Sequence, residues 1–182
     1  MLIALILGFV VLVLLYFIIT YNKLIKLTVL AEEGWSAIDV FLKKRYDLIP
    51  NLLETVKGYA KHESATFENV VKARNNAVNA SSVHEKEVSE QQLNVALKGL
   101  NIVVEQYPEL KASENFKQLS SELTKIETEI ESARRYYNAT VRDLNIAVTT
   151  FPSVIIANMF KFEKKEFLEI EIQARENPKV AF

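Results

Sequence analysis

The side chains best equipped for chemistry lie between Trp35 and Glu63. His62-Glu63 opens like a helical zinc-protease motif, but the fifth position is Thr66, so the second helix-spaced histidine that would hold a metal is missing. The other histidine, His84, is far along the chain, and the chain has no cysteine. This leaves no expected metal site, no thiolate nucleophile and no disulfide. A phosphate-cradling glycine loop and a nucleophile elbow are also absent, so the sequence predicts no catalytic residue, no cofactor and no enzyme activity. Lys43, Lys44 and Arg45 form the strongest basic cluster. The net charge is only −1, however, which argues against nucleic acid as a ligand. Lys43 and Lys44 read as a solvated face. Arg45, with Asp39 and Asp47 close on the chain, is a candidate for an ion pair between helices.

These residues need elements to position them, and the composition points to long helices. Only four Gly and four Pro occur in 182 residues, too few turns for a many-stranded fold. Residues 1–20 carry no charged side chain and are long enough to span a bilayer. A cleaved signal peptide is the alternative, but a basic leader and a small-residue cleavage site are lacking. Lys23 and Lys26 follow the span directly, so the positive-inside rule places the bulk of the chain in the cytoplasm and the short N-terminus outside.

Beyond the span, residues 21–172 read as an antiparallel, up-and-down helical bundle, with a loose tail over 173–182. Leu24, Leu27, Ala31, Trp35, Ile38 and Leu42 recur at three- and four-residue steps, and Leu52, Val56, Tyr59, Phe67 and Val70 continue the rhythm. Pro50 could begin a new helix or kink a continuing one. Because Ile49 keeps step with Leu42 and Leu52, the preferred reading is one helix over about 21–79, kinked at Pro50. Asn51 would hydrogen-bond the backbone that the proline frees. Helices are also predicted over 84–106, opened by a Ser82/Glu85 capping box, and over 113–151. The latter carries an unbroken heptad seam from Phe116 through Tyr137 to Phe151, the pattern of a coiled-coil-like bundle. Arg134, Arg135, Asn138, Arg142 and Asn145 flank that seam, as candidates for polar contacts with Asp39, Glu54 or Glu63. Gly99 fits either a close helix crossing or plain tolerance. Pro152 suits the first turn of a last helix over 153–172, whose residues include Phe160 and Phe162. That apolar segment could complete the core, pack on a second protomer or lie on the membrane surface.

Several strings resemble the LemA family of bacterial membrane proteins, to which the magnetosome protein MamQ is also similar. They are Trp35-Ser-Ala-Ile-Asp-Val, Leu42-Lys-Lys-Arg-Tyr-Asp-Leu-Ile-Pro-Asn-Leu and Thr55-Val-Lys-Gly-Tyr-Ala-Lys-His-Glu, then Ala133-Arg-Arg-Tyr-Tyr-Asn, Val141-Arg-Asp-Leu-Asn, Phe151-Pro152 and Ile156-Ala-Asn-Met-Phe-Lys-Phe. The resemblance implies an anchored α-helical protein of the bacterial inner membrane without established chemistry. The expected function is a single-pass membrane scaffold that self-associates as a homo-oligomer or recruits partners. An adaptor for a membrane protease or envelope-stress system is the alternative, implied by the resemblance alone. The candidate interaction and register residues are Trp35, Asp39, Arg45, Pro50, Asn51, Tyr59, His62, Arg134, Tyr137, Asn138, Phe151, Pro152, Phe160 and Phe162.

Overall fold

The computed structural model describes residues 1–168, which form six helices and no strand. They are α1 (Leu2–Lys57), α2 (Ser64–Asn79), α3 (Val83–Gln106), α4 (Pro108–Ala112), α5 (Glu114–Thr149) and α6 (Ser153–Met159). The chain divides into two compact units. The first joins Met1–Ala37 to Ala133–Phe167, and the second holds Ile38–Ser132 and Leu168.

The expected helix over 21–79 is two helices. It starts much earlier, since α1 is continuous with the apolar run, and it stops at Lys57. Gly58, a poor helix former, follows at once, and Tyr59 to Glu63 form turns. Pro50 lies inside α1 and is exposed. A proline at position 50 cannot bond the carbonyl of Tyr46, four residues back. Here Arg74 Nε of α2 donates to the Tyr46 carbonyl instead, at 2.9 Å. Asn51, expected to make the repair, is exposed, and its own carbonyl accepts from the Thr55 hydroxyl at 2.9 Å.

In the second unit, Ile38, Leu42, Ile49, Leu52 and Val56 of α1 are buried, as are Phe67 and Val70 of α2 and Leu93, Leu97 and Leu100 of α3. The α3 capping box is complete. Ser82 accepts from the Glu85 amide, and the Glu85 carboxylate accepts from the Ser82 amide. Pro108 does more than end α3, because it occupies the first turn of α4, an extra short helix whose Leu110 is fully buried. Gly99 has open space around it, so it is a tolerated glycine and no crossing point.

In the first unit, α1 is exposed throughout residues 2–16. Burial sets in at Thr20 and reaches completion at Leu24 and Ala31. Gly34 is the point of close approach, because a β-carbon there would lie 3.1 Å from the Tyr137 α-carbon. Tyr137, Thr140, Val141, Leu144 and Ala147 of α5 are buried, whereas Phe151 at the end of the expected seam is 81% exposed.

The expected helix over 153–172 is also corrected. α6 ends at Met159, and its end is a Schellman turn. The Phe162 amide donates to the Ala157 carbonyl at 2.9 Å, the Lys161 amide to Asn158 at 3.4 Å, and Lys161 takes the left-handed φ of 58° that such a turn requires. After it the chain runs without regular structure to residue 168. The rest of that expected helix, 169–172, and the expected loose tail, 173–182, lie outside the described residues. A cis Phe151–Pro152 peptide bond joins α5 to α6, and Pro152 caps α6 rather than opening its first turn.

Candidate functional site

Two clusters of polar and aromatic side chains stand out, one in each unit. In the second unit the cluster is built around Arg45, which is 4% exposed. The apolar spacing of α1 turns Leu42 and Ile49 into the core, and Arg45 falls on that same face. A buried guanidinium must find acceptors. Arg45 Nη1 donates to Glu90 Oε2 at 2.7 Å, and Nη2 donates to Asn94 Oδ1 at 2.5 Å and Glu127 Oε1 at 3.2 Å. Glu90, itself 2% exposed, also accepts from the Tyr46 hydroxyl at 2.6 Å. Burial raises the Tyr46 pKa far above its ordinary value of 10.0, with the Glu90 charge and hydrogen bond adding to it, so this phenol is a permanent donor. Helices α1, α3 and α5 thus each send a side chain into one network. Asp39 is ion-paired to Lys86, and Lys44 lies 5.2 Å from the Phe41 ring centroid.

These partners correct the sequence expectation in several places. Arg45 does form an ion pair between helices, but with Glu90 and Glu127 and with neither of its chain neighbours Asp39 and Asp47. Glu54 pairs with its helix neighbour Lys57 at 2.9 Å, Arg142 with its chain neighbour Asp143 at 2.9 Å, and Asn145 with the backbone of Lys165. Glu90 and Glu127 carried no sequence signal, because an acid on a helix of mixed charge reads as solvated. Their register, three residues before Leu93 and four after Leu123, becomes informative only once Arg45 is known to be buried.

In the first unit the strap 161–167 returns along α1 and α5. Asn145 holds it at two points, its Nδ2 donating to the Lys165 carbonyl and its Oδ1 accepting from the Lys165 amide, both at 2.9 Å. The Tyr137 hydroxyl donates to the Glu166 carbonyl at 2.9 Å, and Lys165 Nζ reaches Glu32 at 3.1 Å. Burial raises the Tyr137 pKa as well, the Glu166 charge adding to the shift. Trp35 packs on Tyr137 with ring centroids 5.6 Å apart. Phe160 lies 5.7 Å from Phe17 and 4.7 Å from Tyr21, and Phe162 lies 5.9 Å from Tyr21. Arg134 and Asn138 are half-buried, and Tyr59, His62, Phe151 and Pro152 are exposed.

Neither cluster forms a catalytic constellation. Among the described residues no group of three His, Cys, Asp or Glu side chains is placed to hold a metal ion. An open groove of about 500 Å³ is lined by Lys57, Ser64, Phe67, Glu68, Val71, Lys72, Asn75 and Asn76. It offers one carboxylate, two ammonium groups and the Ser64 hydroxyl, and no histidine. What both clusters do is fix helices: α1, α3 and α5 through Arg45, and the strap through Asn145 and Tyr137.

The model of the LemA family matches residues 34–182, which takes in the whole Arg45 cluster and, of the first-unit cluster, all but Phe17, Tyr21 and Glu32. The chain belongs to the LemA family. In this LemA protein the matched part leaves out the apolar run and begins inside α1. No curated protein matches it. One of its helices, α1, is long and apolar enough to cross a membrane, and the apolar window of that helix is wholly unburied.

Proposed function

We propose that this LemA-family protein is a single-pass membrane scaffold, its helical mass on the cytoplasmic side of the bacterial inner membrane, which self-associates and presents its surface to partners there. One observation carries the reading: α1 runs without interruption from a lipid-length apolar segment into buried positions at Leu24 and Ala31. A continuous helix transmits orientation in a way that a flexible linker cannot, so the helices of the first unit are held at a defined attitude to the anchor. Kinship with MamQ-like relatives belongs to the same proposal and rests on the quoted strings.

Self-association is supported by the outer face of α3. Val88, Val95 and Ile102 are 40%, 69% and 64% exposed and recur every seven residues, opposite the face that buries Leu93, Leu97 and Leu100. Apolar residues at heptad spacing on an unpartnered helix face suit a second copy of the same helix, and tethering in one membrane raises the effective concentration of copies. The test is light scattering of the detergent-solubilised protein. An oligomer is expected, with Val95→Glu and Ile102→Glu shifting it to monomer. A wild-type chain that is strictly monomeric in detergent and in lipid nanodiscs overturns self-association.

A further inference from the structure

The first unit places an apolar element beside the end of the span. Tyr137 lies against Gly34 and Trp35, while Phe160 lies against Phe17 and Tyr21, so the second segment of this unit runs back toward the N-terminal end of α1. Phe17 is inside the uncharged run, six residues before Lys23, the first charge. At 1.5 Å per residue that is about 9 Å of helix. A ring seated on Phe17 is therefore at the depth reached by interfacial helices, about 5–10 Å below the headgroups.

The surface around Phe160 suits that position. From Leu144 to Phe160 there is no charged residue, and Asp143 and Lys161 flank the stretch. Within it α6 buries Ile156 and Ala157 against the unit and turns Ile155 (54% exposed) and Met159 (61%) outward, with Phe151 (81%) preceding them. Lys161 and Lys23, both exposed, lie just beyond the apolar face, where a lysine can reach an anionic headgroup. An apolar face this exposed marks an interaction surface. Its continuity with the span identifies the occupant, because any bilayer that covers Phe17 also meets Phe160.

Resting on the reading that α1 is a membrane anchor, we propose that the turn and helix from Phe151 to Phe160 dip into the lipid interface beside the span, as a second, monotopic contact with the same membrane. The consequence is mechanical. One helix can tilt and rotate in a bilayer, whereas two attached points side by side fix both motions.

The native chain has no cysteine, so single labels report cleanly. The full-length protein is reconstituted in phosphatidylcholine–phosphatidylglycerol vesicles, with an environment-sensitive fluorophore at Ile155→Cys or Met159→Cys. Ile19→Cys and Val10→Cys serve as span controls and Glu33→Cys as the water control. Spin-labelled lipids are expected to quench positions 155 and 159 as strongly as position 19, and aqueous iodide is expected to spare them. Quenching of 155 and 159 by iodide, as at position 33, overturns the proposal. So does protection from both quenchers together with disulfide cross-linking of position 159 between copies, which assigns the face to a second protomer. If lipid fails to quench position 10, the anchor itself is refuted. If lipid quenches position 10 but not 159, only the second contact falls.

Discussion

Replacing a backbone N–H by a proline ring at position 50 leaves the Tyr46 carbonyl without its intrahelical donor, and Arg74 supplies one from another helix. Pro50 and Arg74 are therefore coupled through a carbonyl that belongs to neither. Arg74→Ala should cost about 1–2 kcal/mol, the value of a hydrogen bond from a charged donor to a partly buried acceptor. In a Pro50→Ala background the restored amide at position 50 can take back the carbonyl, so the same substitution should cost measurably less. Chemical unfolding of the full chain in micelles, run as a double-mutant cycle, reads the coupling. Arg45 belongs to the opposite class, where removal strands a buried charge. Arg45→Ala or Glu90→Ala alone should destabilise by about 3–5 kcal/mol. Combining Arg45→Met with Glu90→Leu should recover much of that loss, since two apolar side chains leave no ion without a partner. If the double replacement is as unstable as the singles, the network does more than satisfy its own charges.

Two glycines separate the roles that the sequence could not tell apart. A β-carbon at Gly34 meets the backbone of Tyr137 at 3.1 Å, whereas one at Gly99 meets nothing within 4 Å. Gly34→Ala should force α1 and α5 apart and destabilise by about 1–3 kcal/mol. Gly99→Ala should stabilise by up to about 1 kcal/mol through helix propensity. Thermal unfolding in micelles compares them directly. The α3 start has its own pH signature. Hydrogen bonds from the Ser81 amide and hydroxyl, and from the Ser82 amide, lower the Glu85 pKa from 4.5 to about 2. A lowered carboxylate pKa stabilises the fold fully above the ordinary value and loses that contribution as pH falls through the folded one. Amide protection at the first turn of α3 should thus hold from neutral pH to about 4.5 and fade toward about 2. In Glu85→Gln this acid-induced fading should be gone. Element boundaries were legible where a strong local motif marks them, as the capping box does at Ser82, but not at helix-poor Gly58, where the apolar rhythm carries on past the end of α1. They were illegible at Lys161, because a Schellman turn normally announces itself with glycine and here uses a lysine in the left-handed region.

At the scale of the whole chain, periodicity revealed the helices and the buried faces, since apolar spacing is a local property of the sequence. The polar partners escaped it. Arg45–Glu90, Arg74–Tyr46 and Asn145–Lys165 join residues 20 to 45 positions apart, and only tertiary packing decides which acid or carbonyl meets which donor. Orientation in the membrane is a global property for which the sequence supports a direct proposal. Lys23 and Lys26 follow the apolar run, where α1 enters its buried part, and residues 1–20 carry no charged side chain. On the proposed reading of α1 as an anchor, the positive-inside rule predicts that the helices following Thr20 lie in the cytoplasm. A single cysteine at His84, in the exposed start of α3, should be inaccessible to a membrane-impermeant maleimide in intact cells and should react after permeabilisation. One at Leu2 should react in both. Exchanging the charge bias, with Lys23→Glu and Lys26→Glu plus two lysines inserted before Leu2, should weaken or invert that pattern. If position 84 labels in intact cells of the wild type, the helical part lies outside, and partners must be sought on that side.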